Sequence, residues 1–512
     1  MVEVRNIKLT FAILLVFFPL CHTSVLHSKY SRARQVRILE GHDAAQPLYQ
    51  EILSLNPDDS TAATRVAAHP KTISRHLQIG NSGTIKERLT LISRLKQWNF
   101  TSNAIADHIF QNNNSDTAKS SAAPLYLKPL RAGTNPPPLP KGPLDACIQL
   151  LIMATCLPLG ISRTLLGDDT IDLMQTLGIA FQDDDFLVPY CHVMPVKLLD
   201  SNLYIATDLH PNVLSTTTIR DNEGAVMYIG PDSIALMDHW ISYEQHSSDC
   251  KIVDIGSGSG IQALSMAASY GDDSSLSVTS VDINPRALKL TGLNFEWNGL
   301  KRPKLILGDI RESSGLLYNN NERLTWEELL GEPTTILANP PFLPVPIKDP
   351  IISKRYGLFS SGGASGDLIL ERIVKLASKI LSKKSGTLAI VSEFMNPLSE
   401  FPRKLEEWWD TNKSSGQAIM FVNELLIDAE TYSKRRADDD SEVAQWKRHL
   451  RQEHITEISP GLLFIKTKNN SDDFQFSQYS VPKTDQGSIW TPTNLNARKF
   501  IKTILESHWP TS

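Results

Sequence analysis

Val253-Asp-Ile-Gly-Ser-Gly-Ser-Gly-Ile261 is the stretch on which the reading of this chain turns. An apolar run, Lys251 to Ile255, leads into it and a helix-like run, Gln262 to Ala268, follows, so Gly256, Gly258 and Gly260 form the turn of a strand–turn–helix unit. Glycine suits that turn because the backbone visits angles that side chains resist, and because a ligand can then approach the main chain closely. The dinucleotide fingerprint needs its third glycine one position later, where Ile261 stands. A nicotinamide or flavin dehydrogenase therefore fits poorly.

Working outward, a second apolar run, Leu276 to Val281, ends in Asp282, the expected place for a carboxylate that accepts ribose hydroxyls. Leu305-Ile-Leu-Gly-Asp309 repeats the pattern and makes Asp309 a candidate for an adenine amine. One acid at a strand end is as readily a helix cap; acids recurring in this order argue for a site. Ile336-Leu-Ala-Asn-Pro-Pro-Phe342 then brings an amide, two prolines and an aromatic ring to the same carboxyl edge, where open α/β sheets bind their ligands.

With these motifs in hand, the region from about Ala225 to Lys468 resembles the small-domain class I S-adenosylmethionine-dependent methyltransferases. That group includes release-factor glutamine methyltransferases and N6-adenine and N2-guanine RNA methyltransferases. The resemblance implies an α/β fold with a seven-stranded Rossmann-like sheet, with S-adenosyl-L-methionine as cofactor. It places the cofactor contacts on Asp254, Gly256, Gly258, Gly260, Asp282 and Asp309, and the catalytic tetrapeptide on Asn339, Pro340, Pro341 and Phe342. Tyr228-Ile-Gly-Pro-Asp-Ser233 is similar to the segment that closes over the methionine end of the cofactor. Thr387 to Phe394, Ala418 to Leu425 and Gly461 to Lys468 read as strands five, six and seven.

The chemistry needs little from the protein beyond positioning, because a sulfonium is already an activated methyl donor. A planar nitrogen is a poor nucleophile, its lone pair being delocalised. The Asn339 side-chain oxygen and the Pro340 carbonyl are suited to hold its two N–H groups, with Phe342 available to stack on a flat substrate. Glutamine methyltransferases usually carry Tyr where Phe342 stands, so the substrate stays open between a protein glutamine and an RNA base amine. A non-catalytic cofactor-binding protein working through an upstream docking domain is the alternative. The stretch Leu358-Phe-Ser-Ser-Gly-Gly-Ala-Ser-Gly366 reads either as a mobile substrate-side flap or as an ordinary linker. Within a charged insertion, Tyr432 to His454, Trp446, Lys447, Arg448 and Arg451 read as a solvated helical face, the alternative being contact with nucleic acid or a partner.

The chain is 512 residues long, more than one domain usually needs, and residues 225–512 account for the methyltransferase domain. In residues 145–224, helix candidates from Asp145 to Leu157 and Ile161 to Leu177 precede alternating strands from Phe181 to Leu209, a winged-helix-like α+β module. Asp168, Asp169, Asp172 and the run Asp183 to Asp185 give it an acidic character that favours docking or substrate positioning over duplex binding. Residues 111–144 are a linker rich in Pro, Ser and Asn. Residues 25–110 hold a basic extension and a helical accessory region, in which Gly41 to Ala68 has the spacing of one helical-repeat arm.

Residues 1–24 resemble a signal peptide, with Arg5 and Lys8 ahead of the short apolar run Leu9 to Leu20. The acid-free stretch from Ser24 to Arg37 resembles a transit extension, so the expectation is entry to the secretory pathway and passage onward to a plastid. A secreted or membrane-anchored fate is the alternative, and no stable membrane span is expected in the mature chain. Cys21, Cys147, Cys156, Cys191 and Cys250 show no C-x-x-C spacing, so no metal site is expected. A formal charge of −5 argues against a strong whole-protein field for nucleic acid, although a local basic groove would survive that average.

Overall fold

The structure is a computed structural model. It describes residues 83–109, 123–127, 137–183, 185–198, 201–209, 225–241, 250–271, 275–318, 322–356, 360–384, 386–409, 415–468, 474–482, 487–491 and 494–509, with isolated positions before residue 52. The expected leader, residues 1–24, lies outside the described residues, as do most of 25–82 and of the linker 111–144. Two compact units make up the chain: residues 1–100, 126–194 and 206–222 in one, residues 101–125, 195–205 and 223–512 in the other.

In the first unit, α1 (Ile85–Gln97) opens on a capping box in which Thr84 and Glu87 satisfy each other's backbone N–H groups. Then come α2 (Pro143–Cys147), which runs into a π-helical turn over Ile148–Ile152, β1 (Leu157–Pro158), α3 (Leu159–Leu166), α4 (Asp168–Thr176), β2 (Ala180–Asp183) and β3 (Phe186–Pro189). β1, β3 and β2 form an antiparallel sheet in that order. The helix expected from Ile161 to Leu177 is two helices, because Gly167 at φ 80° caps one and starts the next. The helix expected from Asp145 to Leu157 ends at Ile152, just before Ala154 at φ 56°. Nor is Phe181 to Leu209 a single wing, since β4 (Cys191–Leu198) and β5 (Ser201–Asp208) pair in a separate two-stranded sheet, of which residues 195–205 belong to the second unit. Asp168, Asp169 and Asp172 are exposed on α4, whereas Asp183 is buried, so the acidic surface is smaller than expected.

The second unit is built on one sheet. From residue 225 onward its elements are α5 (Pro231–Leu236), β6 (Lys251–Ile255), α6 (Ile261–Tyr270), β7 (Ser277–Asp282), α7 (Pro285–Trp297), β8 (Lys304–Leu307), β9 (Ser314–Leu317), β10 (Arg323–Thr325), α8 (Trp326–Leu330), β11 (Thr335–Ala338), α9 (Pro350–Tyr356) and α10 (Leu368–Ile380). They continue through β12 (Thr387–Met395), α11 (Phe401–Trp408), β13 (Gly416–Asn423), β14 (Ile427–Asp428), α12 (Ala429–Arg436), α13 (Asp440–Gln452), β15 (Glu457–Thr467), β16 (Gln475–Val481) and α14 (Leu495–His508).

The strand order is β10-β9-β8-β7-β6-β11-β12-β15-β13-β16, with β14 on β15, eleven strands in place of the seven expected. The five from β8 to β12 run parallel. β15 is inserted antiparallel between β12 and β13, which therefore point the same way. These seven are the expected strands. Of the other four, three extend the edges: β9 and β10 form an antiparallel ladder on β8, and β16 runs parallel along β13, while the short β14 pairs antiparallel with the start of β15. Both additions cover edges that would otherwise present unpaired backbone groups. β16 reads Gln-Phe-Ser-Gln-Tyr-Ser-Val without regular alternation, and of its residues Val481 is the buried one.

α10 buries Leu370, Ile373, Val374, Ala377 and Ile380, a helical stripe that packs on Val253, Ile255, Ile336 and Ile390 of the sheet. α6 and α7 also pack against β6 and β7. Such coverage is why β12 is buried at all nine of its positions and reads as a continuous run without alternation.

Candidate active site

β6 and β11 are hydrogen-bonded neighbours, with Ile255 opposite Ala338, and the strand order reverses between them. A crevice at the carboxyl ends of such strands is the usual ligand position in an open α/β sheet. Here it is a cavity of about 290 Å³, walled by the turn after β6, the acid at the end of β7, the Gly308–Arg311 turn after β8 and Asn339 after β11.

The glycine turn is fixed from several sides. Gly256, Gly258 and Gly260 all have positive φ, at 73°, 54° and 79°. The N–H groups of Gly256 and Ser257 both donate to the Val281 carbonyl, at 2.9 and 3.0 Å. From α7, Thr291 donates its hydroxyl to the Gly258 carbonyl at 3.2 Å and Asn294 donates its amide to the Ser259 carbonyl at 2.8 Å. A side chain at Gly260 would meet Thr291 at 2.7 Å, while one at Gly258 would meet nothing within 4 Å. Gly260 is thus required by packing, and Gly258 by its backbone angle and by the space it leaves open.

Three acids stand around this turn. Asp282 accepts the Gly258 N–H through Oδ2 and the Asn284 N–H through Oδ1, each at 2.8 Å. Asp254 is fully buried; its Oδ2 accepts the Ala263 N–H at 3.2 Å, and among the described residues its Oδ1 has no partner. Burial pushes the Asp254 carboxyl up to about 7, with the nearby Asp282 adding to the effect. Burial also raises Asp282, against the backbone N–H groups it accepts. Asp309 differs: Arg311 donates Nε to both of its oxygens at 2.9 Å and closes an ion pair at 2.5 Å, which holds the carboxyl below its ordinary range. Asp309 lines the cavity, but with a cation already on it.

Asn339 donates Nδ2 to Asp232 Oδ2 at 2.7 Å and to the Ser233 hydroxyl at 3.1 Å. A carboxylate can only accept, so the nitrogen end must face Asp232 and the amide has one orientation. Among the described residues nothing donates to the Asn339 carbonyl oxygen. Pro340 and Pro341 line the cavity beside it. Phe342 does not: it packs against the cluster of Leu343, Ile352, Tyr432 and Trp446, with its ring centroid 5.5 Å from that of Trp490.

The glycine-rich loop after the tetrapeptide is tied down over residues 360–366, Leu358 and Phe359 lying outside the described residues. Leu343 and Val345 donate N–H groups to the carbonyls of Ser360 and Gly363, and Gly362 donates back to Leu343 at 2.9 Å. A side chain at Gly362 would meet the Gly366 carbonyl oxygen at 2.2 Å and Phe342 Cα at 2.9 Å. Close backbone packing explains these glycines. In the insertion, Trp446 is fully buried, not presented to a nucleic acid or a partner, and Lys447 and Lys434 both pair with Glu430.

The sequence reading singled out the Tyr228–Ser233 segment for the cofactor and missed that Asp232 and Ser233 orient Asn339. It also missed Arg311 and Trp490. Arg311 stands two residues after Asp309, a spacing at which a turn folds an arginine back onto an acid; Trp490 had no local signal. Among the described residues no group of His, Cys, Asp and Glu is placed to hold a metal ion, and no helix is long and apolar enough to cross a membrane. Cys147, Cys156, Cys191 and Cys250 are buried free thiols.

No family model matches the chain, and no curated protein matches it. Among solved structures it is similar to the methyltransferase subunit of a type I restriction-modification system from Streptococcus thermophilus, at 12% identity over 94% of this chain and 87% of that one, TM-score 0.32. It is also similar to a ribosomal protein L11 methylase from Lactobacillus delbrueckii, at 15% identity over 48% and 82%, TM-score 0.26. An rRNA methylase from Streptococcus thermophilus gives 15% identity over 48% and 99%, TM-score 0.24. At these scores the likeness carries no argument about chemistry.

Proposed function

We propose that the second unit is an S-adenosyl-L-methionine-dependent N-methyltransferase acting on a planar nitrogen, the side-chain amide of a protein glutamine or the exocyclic amine of an RNA base. The observation that carries this reading is the fixed Asn339 amide, held nitrogen-first by Asp232 and Ser233 in the same cavity as the glycine turn and Asp282.

The residues fit such a cofactor. The open space over Gly258 admits a ligand against the main chain, and Asp282, already anchored by two N–H groups, keeps lone pairs for ribose hydroxyls. Asp309 would take the adenine amine only while sharing its carboxylate with Arg311. The cofactor supplies a methyl group on a sulfonium that leaves as a neutral thioether. Asn339 Oδ1 and the Pro340 carbonyl would each accept an N–H of the substrate nitrogen, which holds the lone pair toward the incoming methyl carbon. After transfer, the nitrogen gives up one proton to solvent. Phe342 supports the loop from behind in this reading, a change from the stacking role its sequence position implies.

For the first unit, we propose docking or substrate positioning by a winged-helix-like module. The reading is supported by the succession of helix, strand, two helices and two strands, and by the exposed acids Asp168, Asp169 and Asp172 on α4.

The test incubates the full chain with radiolabelled S-adenosylmethionine and matched protein and RNA fractions, with Asn339→Ala as control. Acid-stable label in a protein band that the control loses identifies an amide substrate; label in RNA identifies a base amine. Cofactor binding with no label in either fraction would overturn the enzyme reading and leave a cofactor-binding protein.

A further inference from the structure

Asp232 is buried at the first turn of α5. A side chain at Gly230 would stand 2.2 Å from Asp232 Oδ1, so that position has no room for anything but glycine while the carboxylate keeps its place. Among the described residues no cation pairs with Asp232. Its carboxylate accepts from Asn339 and from the backbone N–H groups of Asp232 and Ser233, and burial raises its carboxyl against those bonds. The Ser233 carbonyl is in turn held by Gln262 Nε2 from α6 at 2.9 Å, which links α5 to the helix that follows the glycine turn.

We propose that Asp232 is a positioning residue that sets both the orientation and the acceptor strength of Asn339. This rests on the methyl-transfer reading and deepens it. Orientation follows from the acceptor-only chemistry of a carboxylate: the flipped amide would put oxygen against oxygen. Acceptor strength follows from charge, since an anion held against the amide N–H draws density onto the amide oxygen, and hydrogen bonds in a chain polarise one another. The Asn339 oxygen would then grip a substrate N–H more strongly than an unassisted amide does, and most strongly as that nitrogen gains positive charge during transfer.

The replacement that separates charge from shape is Asp232→Asn, because its amide oxygen can still accept from Asn339. The full-length chain, with asparagine carrying a 15N side-chain label, is compared as wild type, Asp232→Asn and Gly230→Ala; Asn339→Ala identifies the signal pair. We expect one Asn339 amide proton to lie downfield and exchange slowly in the wild type, and to move back toward free asparagine in Asp232→Asn. Gly230→Ala, which must push the carboxylate aside with Asp232 intact, should do the same. An Asn339 signal unmoved in both variants would overturn the proposal. In the transfer assay, Asp232→Asn should keep cofactor affinity within about twofold and lose about tenfold or more in rate, in keeping with a charge-assisted bond replaced by a neutral one. Unaltered transfer would also overturn it. Should the wild type label nothing, the methyl-transfer reading fails, while the amide signals still decide whether Asp232 governs Asn339.

Discussion

Gly258 donates its backbone N–H to Asp282 Oδ2 at 2.8 Å, so the turn after one strand and the acid ending the next form a single hydrogen-bonded unit. Any ligand of Asp282 is therefore presented to a main chain already in position. Asp282→Ala removes the acceptor of two N–H groups along with the ligand contact. A hydrogen bond to a charged group contributes about 1.5–3 kcal/mol, so cofactor affinity should fall roughly tenfold to a hundredfold. Calorimetric titration with S-adenosylmethionine checks this, and unchanged affinity would remove Asp282 from the cofactor site.

Gly258 and Gly260 should respond differently to alanine. At Gly260 the added carbon meets Thr291 at 2.7 Å on top of a φ of 79°, so Gly260→Ala should cost about 1–3 kcal/mol of stability. At Gly258 the carbon enters open space, so Gly258→Ala carries mainly backbone strain, about 1 kcal/mol, and instead crowds the ligand. Urea unfolding should rank Gly260→Ala as the less stable variant. If Gly258→Ala binds cofactor like the wild type, the space above it is not the ligand's.

How far the sequence reaches is clearest around these residues. Local signals carry the turn, because positive φ demands glycine and the flanking runs declare strand and helix. They carry Asp282 and Asn339 as well, since each ends an apolar run. What they miss is set by distance along the chain: Asp232 meets Asn339 across 107 positions, and no pattern near either announces it. Gly362 and Gly366 mislead because glycine for close packing and glycine for mobility look alike in a sequence. Trp446 misleads because a charged helix hides a few buried positions, Glu442, Trp446, His449 and Leu450, among exposed ones. The hairpin of β9 and β10 escapes because its strands are only four and three residues long, too short for alternation to register.

The buried carboxyl of Asp254 makes stability depend on pH. Its folded value, about 7, lies above the ordinary 3.8, so between those limits the folded chain keeps a proton that the unfolded chain has released. Stability from this group is present below about pH 4 and lost as pH rises to about 7. Asp254→Asn keeps an oxygen for the Ala263 N–H and no longer titrates. Its melting temperature should therefore fall less steeply than that of the wild type between pH 4 and 7, with a residual slope from Asp232 and Asp282, which burial shifts the same way. Parallel pH profiles for the two proteins would mean that Asp254 is solvated or paired in solution.

The tetrapeptide loop leans on a second buried charge. Glu393, on β12, accepts the Tyr432 hydroxyl through Oε2 and Arg436 through Oε1, both at 2.7 Å, and the Arg436 guanidinium lies 4.9 Å from the centre of the Tyr432 ring. Tyr356 donates its hydroxyl to the Arg436 carbonyl, so α9 and α12 are tied to the same sheet strand. Tyr432 belongs to the cluster against which Phe342 packs, which places this network directly behind the proposed catalytic loop. Glu393→Gln leaves Arg436 without its anion and should cost about 1–3 kcal/mol, less than a fully buried pair because Arg436 keeps some exposure. Tyr432→Phe loses one hydrogen bond and keeps the ring, so about 1 kcal/mol is expected. Both variants should leave cofactor affinity near the wild-type value, since neither residue lines the cavity, while Glu393→Gln should speed hydrogen exchange in α12 and along the loop that carries Phe342. Exchange confined to α12 would mean that the loop holds its shape without this support.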